Sequence, residues 1–420
     1  MSAPSIPNLL SLRGASSRGR GEARGGRAGS SSSSIASPTG TVGQRRQQQH
    51  DAVIQGTDND AAVSRMSAVE LGYLDDPFAA LFAQPQPHPH PHPQQQHPAA
   101  GPGPAAVRRL PIINRGTYAR TTAIDRLVAQ FLADTGPADG SSGGFRQIVS
   151  LGAGTDTRSL RLFSSSPPPF SSTSSSGIIY HEIDFPAICA RKLRAVRAAP
   201  QLRAILSEPE TSSPSSTSQQ EGQNATPAPE WWTSRGPGGS ELWCHGLDLR
   251  ALALAHHQEN DISCSTSLIR GLRTDLPTLL LSECCLCYLS AADAGAVVGW
   301  FGARISPAAG LGLVLYEAVH PDDAFGRMMV SNLAARGLRM PTLDVFRTGA
   351  DQERRLRAAG FDEARQLTVD SVWERWVAPA EKERVDGLEG LDELEEWNLL
   401  AGHYIVAWGW RGSRFRLVEP

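Results

Sequence analysis

Short apolar runs recur along this chain, separated by longer stretches with helical spacing. The runs cover 147–151, 178–183, 241–245, 278–282 and 311–316. They are nearly continuous in apolar residues rather than alternating, which is the pattern of strands covered on both faces. With helical connections between them, they predict an α/β fold built on a doubly wound, mostly parallel sheet. Before the first run, Ile124, Leu127, Val128, Phe131 and Leu132 repeat at helical spacing. Earlier still, Met66, Val69, Leu71, Tyr73, Phe78 and Leu81 predict one or two short helices over 61–82. Near the end, a helix over 381–400 precedes the apolar run 403–408, which predicts an antiparallel edge strand.

Composition narrows the folded part. Of 420 residues, 1–50 are dominated by Ser, Gly, Arg and Gln, and 84–104 by Pro, His and Gln. Residues 164–176 are Ser and Pro, and 207–229 are Ser, Thr, Pro and Gln. Such stretches bury too little apolar surface to offset chain entropy. The expected organisation is a disordered tail over 1–55 and a single domain over 56–420 with inserts at 84–104, 164–176 and 207–229. The cluster Arg13, Arg18, Arg20, Arg24 and Arg27 reads as a solvated tail, since it lacks the amphipathic face of a mitochondrial presequence. The His88-Pro-His-Pro-His92 repeat reads as linker.

A net charge of −3 argues against a nucleic-acid groove. No apolar run reaches 18 residues, so no membrane span is expected. Cys284, Cys285 and Cys287 crowd one segment, while Cys189, Cys244 and Cys264 are scattered. This suggests neither a zinc site nor a disulfide framework, and a reducing compartment is expected. No metal is expected.

The run 147–151 passes straight into a Gly-X-Gly turn, in Ile148-Val-Ser-Leu-Gly-Ala-Gly-Thr-Asp-Thr-Arg158. Gly152 and Gly154 let the backbone turn sharply and let a ligand approach without meeting a Cβ. Thr157 stands where a dinucleotide fingerprint has its third glycine. Without that glycine the next helix sits farther from the strand, and its N-terminus is not shaped for a pyrophosphate. A ligand with a ribose and an adenine but no phosphates fits better, and S-adenosylmethionine is the candidate.

Three acidic groups follow the apolar runs, where ligands bind in such sheets. Asp184 is placed to accept hydrogen bonds from ribose hydroxyls. It lies 32 residues beyond Gly152, and 19 once the 13 residues of 164–176 are set aside, close to the usual ~20. Its plainer role would be an N-cap near Pro186. Asp248 can accept from an adenine amino group while Leu249 packs on the ring; its plainer role is a surface turn. Glu283 can meet a methionine ammonium, since a carboxylate directly after a buried strand is costly unless paired. Tyr288 can frame the acceptor. Arg120 and Arg115 can fork onto a carboxylate of the methionine or of the acceptor, their plainer role being exposed helix-start arginines.

Several segments together resemble one family: Ser64-Arg-Met-Ser-Ala-Val-Glu-Leu-Gly-Tyr73, Asn114-Arg-Gly-Thr-Tyr-Ala-Arg120, the glycine turn, His181-Glu-Ile-Asp-Phe-Pro186, Asp248-Leu-Arg250, Ser282-Glu-Cys-Cys-Leu-Cys-Tyr-Leu289 and Tyr316-Glu-Ala-Val-His-Pro-Asp-Asp-Ala-Phe-Gly326. The set is similar to the leucine carboxyl methyltransferases. The resemblance implies a Rossmann-like methyltransferase fold with an N-terminal helical lid over the acceptor cleft. It implies S-adenosylmethionine as cofactor, and the C-terminal leucine of the type 2A protein phosphatase catalytic subunit as the acceptor and protein partner. It implies a methyl ester that regulates holoenzyme assembly, and a cytoplasmic enzyme, also nuclear. Arg120, Gly152, Asp184, the Asp248–Leu249 pair and Glu283 take the family's cofactor contacts, and Arg65 stands where the family has a lysine. A monomer without nucleic-acid or membrane partners is expected. The alternatives are a transfer-RNA carboxyl methyltransferase of the wybutosine type, whose kelch blades have no counterpart here, and a small-molecule O-methyltransferase. A phosphatase-binding module without activity would have no use for a complete cofactor pocket.

Overall fold

The computed structural model describes residues 42–83, 108–133, 144–165, 177–212, 229–258, 268–391 and 394–419. Among them, nine strands form one sheet: β1 (Phe145–Leu151), β2 (Gly177–Asp184), β3 (Glu210–Thr211), β4 (Trp231–Arg235), β5 (Glu241–Gly246), β6 (Thr278–Glu283), β7 (Leu311–Ala318), β8 (Glu363–Thr368) and β9 (Tyr404–Arg411). Their order is β3-β4-β5-β2-β1-β6-β7-β9-β8. The central five, β5 to β7, are parallel, and each edge adds an antiparallel pair. The helices are α1 (Val42–Glu70), α2 (Pro111–Ala133), α3 (Arg158–Ser164), α4 (Pro186–Ala198), α5 (Pro200–Arg203), α6 (Leu249–His257), α7 (Ala291–Arg304), α8 (Ala324–Ala335), α9 (Gly349–Ala358), α10 (Val369–Trp376), α11 (Pro379–Asp386) and α12 (Leu394–Gly402).

Successive residues of β1 face two different cores. Ile148 packs with Leu127, Phe131 and Val196 from α2 and α4. Val149 packs with Leu252, Val297, Trp300 and Phe301 from α6 and α7. Strands buried on both sides have no polar face, which explains the continuous apolar runs. The chain moves from β1 to β2 on one side and later to β6 on the other. The sheet therefore has its switch point at the carboxyl ends of β1 and β6.

Four expectations need correction. The run 403–408 is not an edge: β9 runs between β7 and β8, and Ala407 and Trp408 are fully buried. The helix expected over 381–400 is two helices, because Gly387 follows Asp386 and the chain turns before α12. Chain order starts well before residue 56: α1 begins at Val42 and runs unbroken to Glu70, ending where Gly72 adopts φ +82° and the Tyr73 amide bonds to the Ala68 carbonyl at 2.8 Å. Gln and Arg favour helix without an apolar stripe, so 42–55 resembled a tail in composition alone. Finally, 207–212 is not featureless, since β3 lies within it. Residues 1–41 and 84–107 and most of the other two expected inserts lie outside the described residues, as does Cys264.

Candidate active site

A cavity of about 320 Å³ opens at the switch point, a size suited to a small molecule. Arg65, Arg120, Gly152, Gly154, Asp184, Asp248, Leu249, Glu283 and Tyr288 all border it. Residues expected from separate parts of the sequence thus meet at one place.

The glycine turn forms its floor. Gly152 and Gly154 adopt φ +61° and +55°, a region that strains any residue with a Cβ. A Cβ at 152 would collide with the Cys285 Sγ just beyond β6, and one at 154 with the Asp58 carboxylate of α1. The turn is fastened to β2. The amides of Gly152 and Ala153 donate to the Ile183 carbonyl at 2.8 and 3.2 Å. Those of Gly154 and Phe185 donate to the two carboxylate oxygens of Asp184, each at 2.7 Å. Burial pushes the Asp184 carboxyl up to about 6, against the pull of these two amides. Phe185 rather than Asp184 is the N-cap of α4.

At the β5 side, Asp248 caps α6 by accepting from the Arg250 amide at 2.9 Å. Its carboxylate also takes the Arg250 guanidinium, whose Nη2 is shared with Asp51 of α1 at 2.8 Å. Asp248 is therefore a helix cap in a three-residue ion chain, not a free turn residue.

The far end is an ion cluster. Glu283 forms an ion pair with Arg120, its Oε1 2.8 Å from Nε, and accepts from Arg158 Nη2 at 3.4 Å. Burial alone would lower the Arg120 pKa; Glu283, Tyr316 and Cys284 together more than offset it and hold the group above its ordinary value. Arg158 also pairs with Asp125 at 2.7 Å and with Asp156. Arg65 spans Asp156 at 3.1 Å and Asp76 at 3.4 Å. Tyr288 ends a short turn after β6, and its buried hydroxyl has no hydrogen-bond partner among the described residues. Burial pushes its pKa well up, so it stays a neutral phenol.

Arg115 is elsewhere. It stacks on Trp373 and Trp397 at 4.7 and 5.6 Å and pairs with Asp386. The lid expectation also shifts, because the side chains of α1 wall the same cavity that the glycine turn opens. Asp58 accepts from the Thr155 amide and hydroxyl at 2.6 and 2.8 Å and pairs with Arg191. Asp51, Asp58, Asp156, Arg158 and Arg250 were missed as cavity residues. Asp156 and Arg158 lie inside the glycine motif, which was the available signal; the acids of α1 had none. Among the described residues no cluster of three or more His, Cys, Asp or Glu could hold a metal, and the cysteines are free thiols.

The family model for leucine carboxyl methyltransferases matches residues 54–302, from α1 through α7. The chain belongs to the leucine carboxyl methyltransferase family. It is 46% identical to leucine carboxyl methyltransferase 1 of Aspergillus fumigatus, over 98% of this chain and 94% of that one. It is also 46% identical to the Emericella nidulans protein of the same name, over 100% and 97%. Human tRNA wybutosine-synthesizing protein 4 is more distant, at 29% identity over 89% of this chain and 46% of that protein. In this carboxyl methyltransferase the glycine turn and the strand-end acids border one cavity at the switch point of the sheet.

Proposed function

We propose that this carboxyl methyltransferase esterifies the α-carboxylate of the C-terminal leucine of the type 2A protein phosphatase catalytic subunit, using S-adenosylmethionine, and so regulates holoenzyme assembly. The observation that carries the cofactor reading is the Arg120–Glu283 pair at one end of the cavity, opposite Asp184 and Asp248 at the other. A zwitterionic amino acid needs one cation and one anion side by side, and an adenosine needs acceptors for its ribose hydroxyls and amino group. Gly152 and Gly154 let the turn pack tightly against Cys285 and Asp58 at the border of that cavity.

In this reading Asp184 accepts from the ribose, Asp248 from the adenine amino group, and Leu249 packs on the ring. Arg120 takes the methionine carboxylate and Glu283 the ammonium. Arg65 holds Asp156 and Asp76 in place behind the turn. When bound, the sulfonium supplies a methyl group with a good leaving group already attached. A C-terminal carboxylate, with a pKa near ~3.5, is ionised at neutral pH and needs no general base. The residues therefore position the acceptor, in line and within about 3–3.5 Å, and exclude water. Tyr288, a neutral donor at the cavity wall, frames that carboxylate without cancelling its charge.

Two measurements test this. Labelled S-adenosylmethionine is incubated with phosphatase core enzyme with and without its terminal leucine. Leucine-dependent, alkali-labile labelling is expected; labelling that ignores the leucine would defeat the acceptor assignment. Cofactor affinity should also weaken about tenfold from pH 7 to pH 5, because Asp184 titrates near 6 and only its anion accepts both ribose hydroxyls. A raised carboxyl pKa contributes stability below the unfolded value and loses it as pH rises through 6, so Asp184 itself does not unfold the protein at pH 5. Calorimetry on Asp184→Asn should show weak, pH-independent binding; a wild-type affinity flat from pH 7 to 5 would count against the ribose role.

A further inference from the structure

The ion pair at the end of the cavity rests on an aromatic surface that the cofactor reading does not use. Glu283 at the end of β6 and Tyr316 on β7 are register partners, so their side chains stand next to each other on one face of the sheet. The Arg120 guanidinium forms an ion pair with the first and lies over the ring of the second, 5.4 Å from its centroid. Tyr316 in turn stacks on Tyr404 of β9, with centroids 5.5 Å apart and planes 13° apart. Both tyrosines are fully buried.

Binding a zwitterion between Arg120 and Glu283 means exchanging partners. Glu283 keeps Arg158 at 3.4 Å while it turns to an ammonium. Arg120 has no second carboxylate within ion-pair distance among the described residues. What remains beneath it is the Tyr316 ring, whose negative face attracts a guanidinium and whose rigid plane limits where it can go. We propose that Tyr316, backed by Tyr404, is a positioning residue that holds Arg120 in its ligand-binding orientation once Glu283 releases it. The ring does this, and the hydroxyl, which has no hydrogen-bond partner among the described residues, does not. This inference rests on Arg120 taking the methionine carboxylate.

The test compares two ligands by calorimetry. S-adenosylhomocysteine carries the amino-acid moiety, and 5′-methylthioadenosine lacks it. Tyr316→Phe should bind both within about twofold of wild type. Tyr316→Met should weaken S-adenosylhomocysteine about tenfold and leave 5′-methylthioadenosine within twofold; a general loss of packing would weaken both. Progressively fluorinated phenylalanines at 316 keep the ring's shape, guard against misfolding of the Met variant, and should weaken S-adenosylhomocysteine stepwise. Arg120→Met is the reference. If it keeps the preference for S-adenosylhomocysteine, the reading of Arg120 fails and this inference with it. If it removes the preference while fluorination changes nothing, or while Tyr316→Met weakens both ligands alike, only the role of Tyr316 is overturned.

Discussion

Arg120→Ala should lower kcat/KM for methyl transfer about a hundredfold, or roughly 3 kcal/mol. The residue is 5% exposed and forms an ion pair with Glu283 at 2.8 Å, at the end of the cavity proposed above for the methionine moiety. Removing it takes away the proposed carboxylate anchor and leaves Glu283 with only the longer contact to Arg158. The loss should arise from orientation rather than activation, because the acceptor carboxylate is already a nucleophile. A guanidinium clamped on the reacting oxygen would slow transfer, since opposite charges neutralise as the ester forms. Steady-state kinetics beside a melting curve decides it: a folded variant with near-wild-type transfer would rule the role out.

Lys192→Met should cost about 3–5 kcal/mol of stability. The Lys192 ammonium, 1% exposed, lies 2.6 Å from the Glu182 carboxylate beneath the glycine turn. It also donates to the Asp156 carbonyl at 2.6 Å. Glu182 would retain Ser159 at 2.8 Å and the Cys244 thiol at 3.2 Å, two neutral donors that cannot balance a buried charge. The double variant Lys192→Met with Glu182→Leu should recover most of the loss, because both charges then leave together. Denaturant unfolding measures both. A single variant within 1 kcal/mol of wild type would show that Glu182 is not held as an anion by this lysine.

The sequence was most informative where structure is local. Each of the five parallel strands lies where its apolar run does, with ends displaced by two residues or fewer. Asp184 could be placed at the cavity because strand, turn and acid follow in order once the Ser/Pro stretch is set aside. What could not be read depends on partners distant in the chain. β8 is Glu-Ala-Arg-Gln-Leu-Thr, polar enough to pass for a loop, and is a strand only because β9 supplies its ladder. The start of α1 has few apolar residues and is held by carboxylates reaching Arg250 and Thr155. Arg115 and Arg120 share one helix but lie five residues apart, about 140° around it. Only one of them can face the cavity, and neighbouring residues do not say which.

The position of β9 has a consequence for the order in which the protein takes shape. β8 has no other strand to pair with among the described residues, and β9 is built from residues 404–411. Until those residues exist, β7 is an open parallel edge and β8 is unpaired chain. Trp408 is also tied to the Leu417 carbonyl at 2.8 Å, and Phe415 and Leu417 are buried against the same core. During synthesis, then, the sheet around the glycine turn can assemble early, while the half that carries Tyr316 and backs Arg120 stays incomplete until translation has passed residue 417. A nascent chain can therefore shape the glycine-turn side of the cavity well before the side where Tyr316 lies beneath Arg120 is complete.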